Sequence, residues 1–347
     1  MQYKTIPESI PSTGILYVDH QKNLRSGHLG HALVEYKSGC VLSFYSNCSG
    51  TRNAGHSGFG WVEYKRSTDG GDTWGDAKVL EYSYDAFINQ PFTVSCEKAV
   101  STKENEIVLF CLRNLNANGW EPHLSPVVLR SEDGGVTWSE PVEVCEKRGR
   151  IYDALVRNGV IYLLLCEGVW KVEKPEDGYY LYKSEDSGKT FSLVSQVPAV
   201  SGNAYGDIEI LDDGALICYI YNQKDEYNLD YSISRDMGKT WTQTGKSHVA
   251  KRIRNPQIAK VRDGYFLHGR AGCESDELPF YFVLYTSKDG ICWDEGVYLC
   301  DVPGQCAYYS NNLVMTQKDG SQRVLIQASV SYDGGKVNVA HWFLHLE

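Results

Sequence analysis

The sequence predicts an all-β fold, a six-bladed β-propeller of four-stranded antiparallel blades. Three observations lead to this prediction: an eight-residue phrase recurs along the chain, its copies are almost evenly spaced, and a pair of apolar strands precedes each copy. The serines that open the phrase follow one another after 64, 53, 50 and 53 residues, a period typical of propellers and solenoids. The copies are 67–74 (STDGGDTW), 131–138 (SEDGGVTW), 184–191 (SEDSGKTF), 234–241 (SRDMGKTW) and a shortened 287–293 (SKDGICW).

The recurring phrase, hereafter the box, has the chemistry of a tight turn. The oxygens of its serine, aspartate and threonine can fold back onto nearby backbone N–H groups, and the aromatic residue that closes it can pack under a neighbouring strand. Glycine supplies the positive φ that such a turn needs. These properties account for every recurrent position, so the box is predicted to be structural and not catalytic. The glycines concerned are Gly71, Gly135, Gly188 and Gly238.

A second repeat, upstream of the boxes, gives the number of blades. Each copy holds an extended segment, a strand, a turn that is often Asp-Gly, and an apolar strand. In a chain of 347 residues, six copies correspond to six blades of about 50 residues each. We therefore expect one domain, residues 1–347, in which the N-terminal segment closes the last blade. The copies are 27–47, 89–114, 150–168, 203–222, 254–270 and 306–329.

Charge and composition exclude several partners. The formal net charge of −10 argues against nucleic acid and anionic membranes, and no apolar run is long enough to span a bilayer. The N-terminus does not resemble a secretory leader, and most of the 11 cysteines lie in apolar strands, as reduced thiols do. We expect a cytoplasmic protein, or a secreted one if a leader has been removed. Cysteine and histidine spacings match no metal site, so neither a metal nor a cofactor is expected.

Polar side chains gather at the ends of the predicted inner strands. The first strand of a propeller blade lines the channel, so its start and the end of the following strand share a face. So many histidines, arginines, tyrosines and carboxylates predict a ligand site, although single positions could be polar only because they face water. The strand starts supply His28, His31, Asn89, Gln90, Arg150, Asp153, Tyr205, Asp207, Arg254, Gln257, Tyr308 and Tyr309; the strand ends supply Asn47, Arg113, Asn114, Glu167, Tyr221, Asn222, Arg270 and Gln327.

The box resembles the Asp-box, or BNR repeat, of the sialidase superfamily. The resemblance spans residues 67–293 and implies a six-bladed propeller. It also implies three arginines that bind the substrate carboxylate, a tyrosine–glutamate pair that acts as nucleophile, and an aspartate that acts as acid and base. Arginine suits this task because its guanidinium donates two parallel hydrogen bonds to a carboxylate. Similar boxes occur in lyases, other glycosidases and non-enzymatic propellers, so the box predicts the fold more strongly than the activity.

The chain departs from the sialidase pattern in two blades. Leu29 stands where the first blade of the family has its arginine, and the loop that carries the family's aspartate offers His56 but no carboxylate. In blade four, Tyr205 stands where the family's glutamate is expected, which leaves Asp207 as the nearest carboxylate. A standard neuraminidase site is therefore not predicted.

Two other blades resemble the family more closely. The segment QCAYYSNNL in blade six is similar to the one that carries the nucleophilic tyrosine, so Tyr308 or Tyr309 holds that place. Blade five is similar to the family's first blade, which leaves two alternatives: the site is rotated among the blades, or equivalent strands are alike by descent from one repeat. The blade-five residues concerned are Arg254, Arg270, and Glu274 or Asp276.

These residues predict a glycoside hydrolase that acts on a terminal acidic sugar, of the sialic or uronic acid type, in a glycan or oligosaccharide. Tyr309 or a carboxylate attacks the sugar or activates water. Asp207, Glu274 or Asp276 protonates the leaving oxygen, and the two arginines of blade five hold the sugar acid. The other candidate substrate-binding residues are Gln90, Arg113, Arg150, Asp153, Glu167, Tyr205 and His56, with Tyr308 as the alternative nucleophile.

Two alternatives remain open. The first is a propeller-fold lyase or rhamnosidase-like enzyme acting on uronic-acid glycans, in which His28 or His31 moves the proton and a tyrosine completes the pair; a structural role for either histidine is the competing interpretation. The second is a carbohydrate-binding propeller without catalysis. In each case the expected partner is a glycan, neither nucleic acid nor a membrane is expected, and the oligomeric state is open.

Overall fold

The computed structural model of the chain describes residues 3–5, 16–27, 30–54, 57–116, 123–167, 178–198, 202–271, 281–300, 309–333 and 336–346. These residues form six antiparallel sheets. The fold class predicted from the sequence, a six-bladed β-propeller, is confirmed. The chain divides into two compact units: the first comprises residues 20–170 and 174–194, and the second comprises 1–19, 171–173 and 195–347.

The strands of the described residues are numbered in chain order. They are β1 (Tyr3–Thr5), β2 (Leu16–Val18), β3 (Arg25–Ser26), β4 (Ala32–Lys37), β5 (Cys40–Ala54), β6 (Ser57–Ser67), β7 (Lys78–Val79), β8 (Phe92–Val100), β9 (Ile107–Leu115), β10 (Val127–Ser131), β11 (Val142–Glu143), β12 (Gly149–Arg157), β13 (Val160–Glu167), β14 (Tyr179–Ser184), β15 (Ser192–Val197), β16 (Gly202–Ile210), β17 (Leu216–Asn222), β18 (Asn228–Ser234), β19 (Gln243–His248), β20 (Arg254–Val261), β21 (Gly264–Arg270), β22 (Phe282–Ser287), β23 (Val297–Cys300), β24 (Ser310–Thr316), β25 (Gln322–Asp333) and β26 (Lys336–Leu346).

The first unit holds three sheets. Their strand orders are β3-β5-β6-β7, with β4 also paired to β5; β8-β9-β10-β11; and β12-β13-β14-β15. The unit boundary falls within β15. A 3₁₀ turn (His20–Asn23) precedes β3, and the helix α1 (Glu81–Asn89) joins β7 to β8. The sequence did not predict this helix, whose buried side is formed by Ser83 and Ala86.

The second unit holds the other three sheets. Two of them have the orders β16-β17-β18-β19 and β20-β21-β22-β23. In the third, β24, β25 and β26 are consecutive neighbours, and the N-terminal strands β1 and β2 both pair with β26. Tyr3 lies opposite Leu346, and Leu16 lies opposite Ala340. Segments from the two ends of the chain thus share one sheet.

The boxes form hydrogen-bonded turns of the kind that the sequence predicts. In all five copies the serine hydroxyl donates to the aspartate Oδ1 at 2.7–3.0 Å, and the serine Oγ accepts the glycine N–H at 2.7–2.9 Å. In the four complete copies the threonine N–H and hydroxyl donate to the same aspartate. In each box the serine and aspartate side chains are therefore bonded within the turn itself.

Apolar side chains fill the space between neighbouring sheets within each unit. The second strands of two sheets, β17 and β21, are buried along their whole length, because other strands flank them and both faces are covered. Burying one large apolar side chain of this kind stabilises a fold by about 1.5–3 kcal/mol. The helical segments of the described residues are too short and too polar to cross a membrane.

Candidate functional site

Arginine, tyrosine and glutamate side chains meet within the second unit, at the ends of strands β16, β17, β20 and β21 and just before β24. The turn after β17 helps to form this group, because the Asn222 side chain accepts the backbone N–H groups of Lys224 and Asp225 at 3.0 and 3.2 Å. We call the group the arginine–tyrosine cluster. Its members are Tyr205, Tyr221, Glu226, Arg252, Arg254, Asn255, Arg270 and Tyr309.

Glu226 connects one side of the cluster. Its Oε1 accepts the Tyr221 hydroxyl at 2.5 Å and also the Nε–H of Arg254. Its Oε2 accepts Nη2 of Arg252 at 2.9 Å and Nε of the same guanidinium at 3.2 Å. The Glu226 side chain is only 7% exposed, so both oxygens are satisfied by protein donors in a place that water reaches poorly. These bonds fix both arginines and the tyrosine.

Burial and charge act together on the ionisable groups around Glu226. Burial raises the pKa of the Tyr221 hydroxyl, and its bond to the Glu226 carboxylate raises it further, while Arg254 opposes the shift. For Arg254, burial acts to lower the pKa of the guanidinium, but the neighbouring Tyr221 and Glu226 outweigh it and the pKa is raised. Arg254 is therefore a permanent cation and Tyr221 a neutral hydroxyl at physiological pH.

Tyr309 and Tyr205 occupy the other side of the cluster. Their hydroxyl oxygens are 3.5 Å apart, and their ring centroids are 6.2 Å apart. The Arg270 guanidinium carbon lies 4.2 Å from the centroid of the Tyr309 ring, which is a cation–π contact. Asn255 holds this arginine by accepting its Nε–H at 3.0 Å. The positive charge of Arg270 is thus fixed against the Tyr309 ring, and the Tyr309 hydroxyl lies beside that of Tyr205.

The backbone is strained at two members of the cluster. Tyr205 has φ +83° and Asn255 has φ +51°. Both lie in the left-handed region of backbone conformation, which residues other than glycine rarely adopt. Tyr205 precedes Gly206, where the register between β16 and β17 shifts. Strain of this kind costs about 1–3 kcal/mol per residue and is concentrated at functional sites. Both conformations are consistent with a site that the fold holds in place.

Among the described residues, the cluster brings several guanidinium groups close together. Arg252 and Arg254 contact the carboxylate of Glu226, and Arg270 is held by Asn255. Arg252 is 10% and Arg254 26% exposed at the side chain, so solvent screens these charges only in part. A partly buried group of guanidiniums can bind an anion by charge-assisted hydrogen bonds. It can also stabilise negative charge that develops on a nearby oxygen during a reaction.

Asp207, predicted as a possible proton donor, is buried and bonded to backbone N–H groups. It is 1% exposed, and its Oδ1 accepts the N–H of Ile208 at 2.8 Å. Its Oδ2 accepts the N–H of Ile258 on the neighbouring sheet at 3.0 Å. Both oxygens are thus engaged by backbone N–H donors. These contacts favour a structural role for Asp207 in joining β16 to β20.

The predicted residues of β12 form ion pairs within the first unit. Arg150 donates a two-pronged hydrogen bond to Glu97, with Nε at 3.0 Å and Nη2 at 3.1 Å from the carboxylate oxygens. Asp153 lies 2.6 Å from the Lys98 Nζ. All four charged groups are largely buried and they balance one another, which a structural role explains. A substrate-binding role for Arg150 and Asp153 stays a prediction.

Other predicted residues of the first unit also have protein partners. Glu167 accepts a hydrogen bond from Lys147. Arg113 donates to the Ser125 carbonyl oxygen at 2.9 Å and to Glu143. Gln90 caps α1 through its backbone N–H, and His31 is buried. The remaining candidates lie outside the described residues; they are His28, His56, Glu274, Asp276 and Tyr308.

Two central members of the cluster, Glu226 and Arg252, were not predicted from the sequence. A signal for Arg252 exists: it lies two residues before Arg254, and in an extended segment such residues point to the same side. Glu226 lies in the turn after β17, outside the strands whose repeat was aligned, and no pattern in the sequence marks it. Tyr221 was predicted as a polar strand end but received no role.

Comparison with solved structures first defines the class of fold. A protein of unknown function from Dyadobacter fermentans superposes with a TM-score of 0.72 at 16% identity, over 96% of this chain and 97% of that one. The Hadza microbial sialidase Hz136 superposes with a TM-score of 0.67 at 16% identity, over 94% of this chain and 68% of that one. At such low identity, these likenesses show the fold alone.

Sequence comparison then points to one kind of protein within that class. The chain is 25% identical over 248 residues to a sialidase of Paraclostridium sordellii. The match covers 65% of this chain and 55% of the relative, so the chain spans about half the length of the curated relative. No protein-family model matches the chain. The resemblance to sialidases that the boxes indicate is confirmed as a similarity in sequence and in fold.

Proposed function

We propose that the chain is a glycosidase that acts on glycans ending in a sugar acid, with the arginine–tyrosine cluster as its active site. The observation that carries this proposal is the gathering of three guanidinium groups beside tyrosine hydroxyls in a largely buried cluster. The similarity to sialidases supports the same class of chemistry. Arg254, the more exposed of the two arginines bound to Glu226, and Arg270 are assigned to the substrate carboxylate.

In this proposal Tyr309 is the nucleophile. The Tyr309 hydroxyl gives its proton to water as its oxygen bonds to the anomeric carbon, while the bond from that carbon to the leaving oxygen breaks and that oxygen takes a proton from the acid named below. Water then attacks the same carbon, and the tyrosine oxygen leaves and regains a proton. Arg270, packed against the ring of Tyr309, favours the negative charge that develops on the attacking oxygen. Tyr205 is a positioning residue, because its hydroxyl lies 3.5 Å from that of Tyr309. Glu274 or Asp276 is the candidate acid for the leaving oxygen.

Glu226 is also assigned a positioning role. Its two oxygens already accept hydrogen bonds from Arg252, Arg254 and Tyr221, so protonation of a leaving group would require those bonds to break. By holding two guanidiniums in fixed orientations, the carboxylate prepares them for a planar anion before the substrate arrives.

A panel of fluorogenic glycosides tests this function. We expect fluorophore release from the α-sialoside or the β-glucuronide, and none from the β-galactoside, which has no carboxylate. Arg270→Ala should lower kcat/KM on the acidic substrate by about 10- to 100-fold, because one charge-assisted hydrogen bond is lost. Equal turnover of the neutral galactoside, or no turnover of any member of the panel, would contradict the proposal.

A second candidate function is carbohydrate binding without turnover. One observation favours it: Asp207 and Glu226, two buried carboxylates of this part of the unit, are occupied by backbone N–H or guanidinium donors. Calorimetry with free sugar acids, combined with product analysis after long incubation, separates the two functions. Saturable binding of a sialoside that is recovered intact would establish the second and exclude the first.

A further inference from the structure

The first unit contains a depression whose residues lie apart in sequence from the arginine–tyrosine cluster. One wall is the edge strand β7 with the beginning of α1, and the other is the segment 136–141, which follows the turn of the second box. Its volume is about 800 Å³, in the range of small-molecule sites. We call it the edge cleft. Its residues are Tyr64, Lys78, Val79, Leu80, Glu81, Tyr82, Asp85, Leu129, Val136, Thr137, Trp138, Ser139, Glu140 and Pro141.

Both walls of the edge cleft are held by the sheets. The Trp138 ring packs against Phe44 and Tyr64, with centroids 5.8 and 6.1 Å apart, and the Tyr64 hydroxyl donates to the Gly135 carbonyl at 3.2 Å. On the opposite wall, the Ser83 Oγ accepts the Val62 N–H at 2.9 Å and fastens the start of α1 to β6. A ligand would therefore meet a preformed surface and lose little affinity to ordering it.

The lining of the edge cleft combines flat apolar faces with hydrogen-bond acceptors. Tyr82 and Trp138 are half-buried, and two valines at the margins are strongly exposed: Val136 is 61% exposed and Val79 42%. Three carboxylates lie among them, against one ammonium group. These charged residues are Glu81, Asp85, Glu140 and Lys78, and all four are exposed.

We propose that the edge cleft binds an uncharged oligosaccharide segment. Aromatic rings and exposed valines provide faces for the C–H groups of a pyranose ring, while carboxylates accept hydrogen bonds from its hydroxyls. The excess of negative charge disfavours sugar acids, because a second carboxylate would be repelled. The ligand class thus differs from that of the arginine–tyrosine cluster, and the inference does not depend on the proposed glycosidase activity.

Calorimetric titration of the full chain with lactose, cellobiose and maltose tests this inference, with glucuronic acid as the charged comparison. We expect at least one neutral disaccharide to bind in the micromolar to millimolar range and glucuronic acid not to compete. The double variant Glu81→Ala/Glu140→Ala should weaken that binding at least tenfold. Glu185→Ala is the matched control, because it removes an exposed carboxylate that does not line the edge cleft, and it should leave the affinity unchanged.

Fluorine NMR of 5-fluorotryptophan-labelled protein provides a second readout. The Trp138 resonance, assigned by its loss in Trp138→Phe, should shift when the bound disaccharide is added and should not shift in the double variant. Three results would each overturn the inference. The double variant could bind with unchanged affinity, all three disaccharides could fail to bind, or the Trp138 resonance could stay unshifted while a sugar is bound. Binding of trilysine in place of every sugar would assign the cleft to a cationic ligand and would overturn it as well.

Discussion

Glu226 shows how a single buried carboxylate can organise a group of cations. Taking a charge out of water costs several kcal/mol unless partners replace the lost hydration, and Glu226 obtains those partners from Arg252, Arg254 and Tyr221. The dependence is mutual, since the carboxylate accepts hydrogen bonds from both arginines and so holds their guanidinium groups in place. A residue that was not predicted from the sequence therefore fixes the orientation of one that was.

Replacing this carboxylate tests the dependence directly. Glu226→Gln should destabilise the folded protein by about 1–3 kcal/mol, because the amide keeps an acceptor but removes the negative charge that both guanidiniums contact. The free energy of unfolding, measured in urea, gives the value. Glu185→Gln, at a carboxylate 66% exposed at the side chain, should change it by less than about 0.5 kcal/mol. Equal effects of the two variants would refute the organising role of Glu226.

The pair of tyrosines in the cluster permits a separate prediction about activity. Tyr309→Phe removes the proposed nucleophile and should abolish turnover of an acidic glycoside, while calorimetry should still detect binding of the free sugar acid. Tyr205→Phe removes only the neighbouring hydroxyl, and we expect it to lower kcat by about 10- to 100-fold with little change in KM. If Tyr309→Phe keeps full activity, another group attacks the sugar.

At the scale of elements, the box is a turn that uses two successive left-handed residues. In the second box these are Gly134 and Gly135, with φ +71° and +81°, and in the fourth they are Met237 and Gly238, with φ +58° and +82°. The second position is glycine in all four complete copies, whereas the first accepts serine or methionine. Packing restricts the second position: a Cβ on Gly135 would lie 2.4 Å from Cδ1 of the buried Leu42, and one on Gly188 would lie 2.8 Å from Cγ1 of the buried Val108.

A pair of glycine variants separates backbone strain from this steric conflict. Gly159, in the turn between β12 and β13, has φ +78°, and a Cβ at this position would meet nothing within 4 Å, so Gly159→Ala should cost about 1 kcal/mol of stability from strain alone. Gly135→Ala adds the conflict with Leu42 and should cost about 2–4 kcal/mol. Thermal and urea unfolding measure both. A Gly135→Ala variant no less stable than Gly159→Ala would contradict the packing account.

At the scale of the whole molecule, the sequence predicted the sheets well because their signals are local. The upstream repeat at 150–168 corresponds to β12 and β13, and that at 254–270 corresponds to β20 and β21. Strand alternation and turn glycines act over a few residues, so one sequence reveals them. The helix α1 was not predicted, because Leu80 supplies no side-chain cap at its N-terminus. Only Ser83 and Ala86 are buried, so the helical periodicity of apolar residues is weak.

The candidate site was harder to predict than the fold. Tyr205, Arg254, Arg270 and Tyr309 were identified because they occupy equivalent ends of repeated strands, and the structure does bring them into one cluster. The role of Asp207 could not be read from its position, because only the folded chain brings the Ile258 N–H to its carboxylate. Contacts between residues about fifty positions apart depend on how sheets pack, and a repeat does not encode them.

The aspartates of the boxes, which occur in both units, predict how the stability of the molecule depends on pH. Hydrogen bonds from threonine and serine lower the pKa of Asp69 to about 2, and backbone and side-chain bonds from Thr240 lower that of Asp236 to about 2. Because these values lie below the ordinary value of about 3.9 in an unfolded chain, the stability that the carboxylates contribute is complete above about pH 4 and is lost as pH falls through about 2. Tm should therefore drop steeply over that interval.

The variant Asp236→Asn tests this pH dependence. It should lower Tm at pH 7, and the difference in Tm from the parent protein should shrink as the pH approaches 2. Glu132→Gln, at an exposed carboxylate, should leave the dependence of Tm on pH unchanged. A constant difference between Asp236→Asn and the parent across this range would show that the bonds, and not the charge, carry the effect.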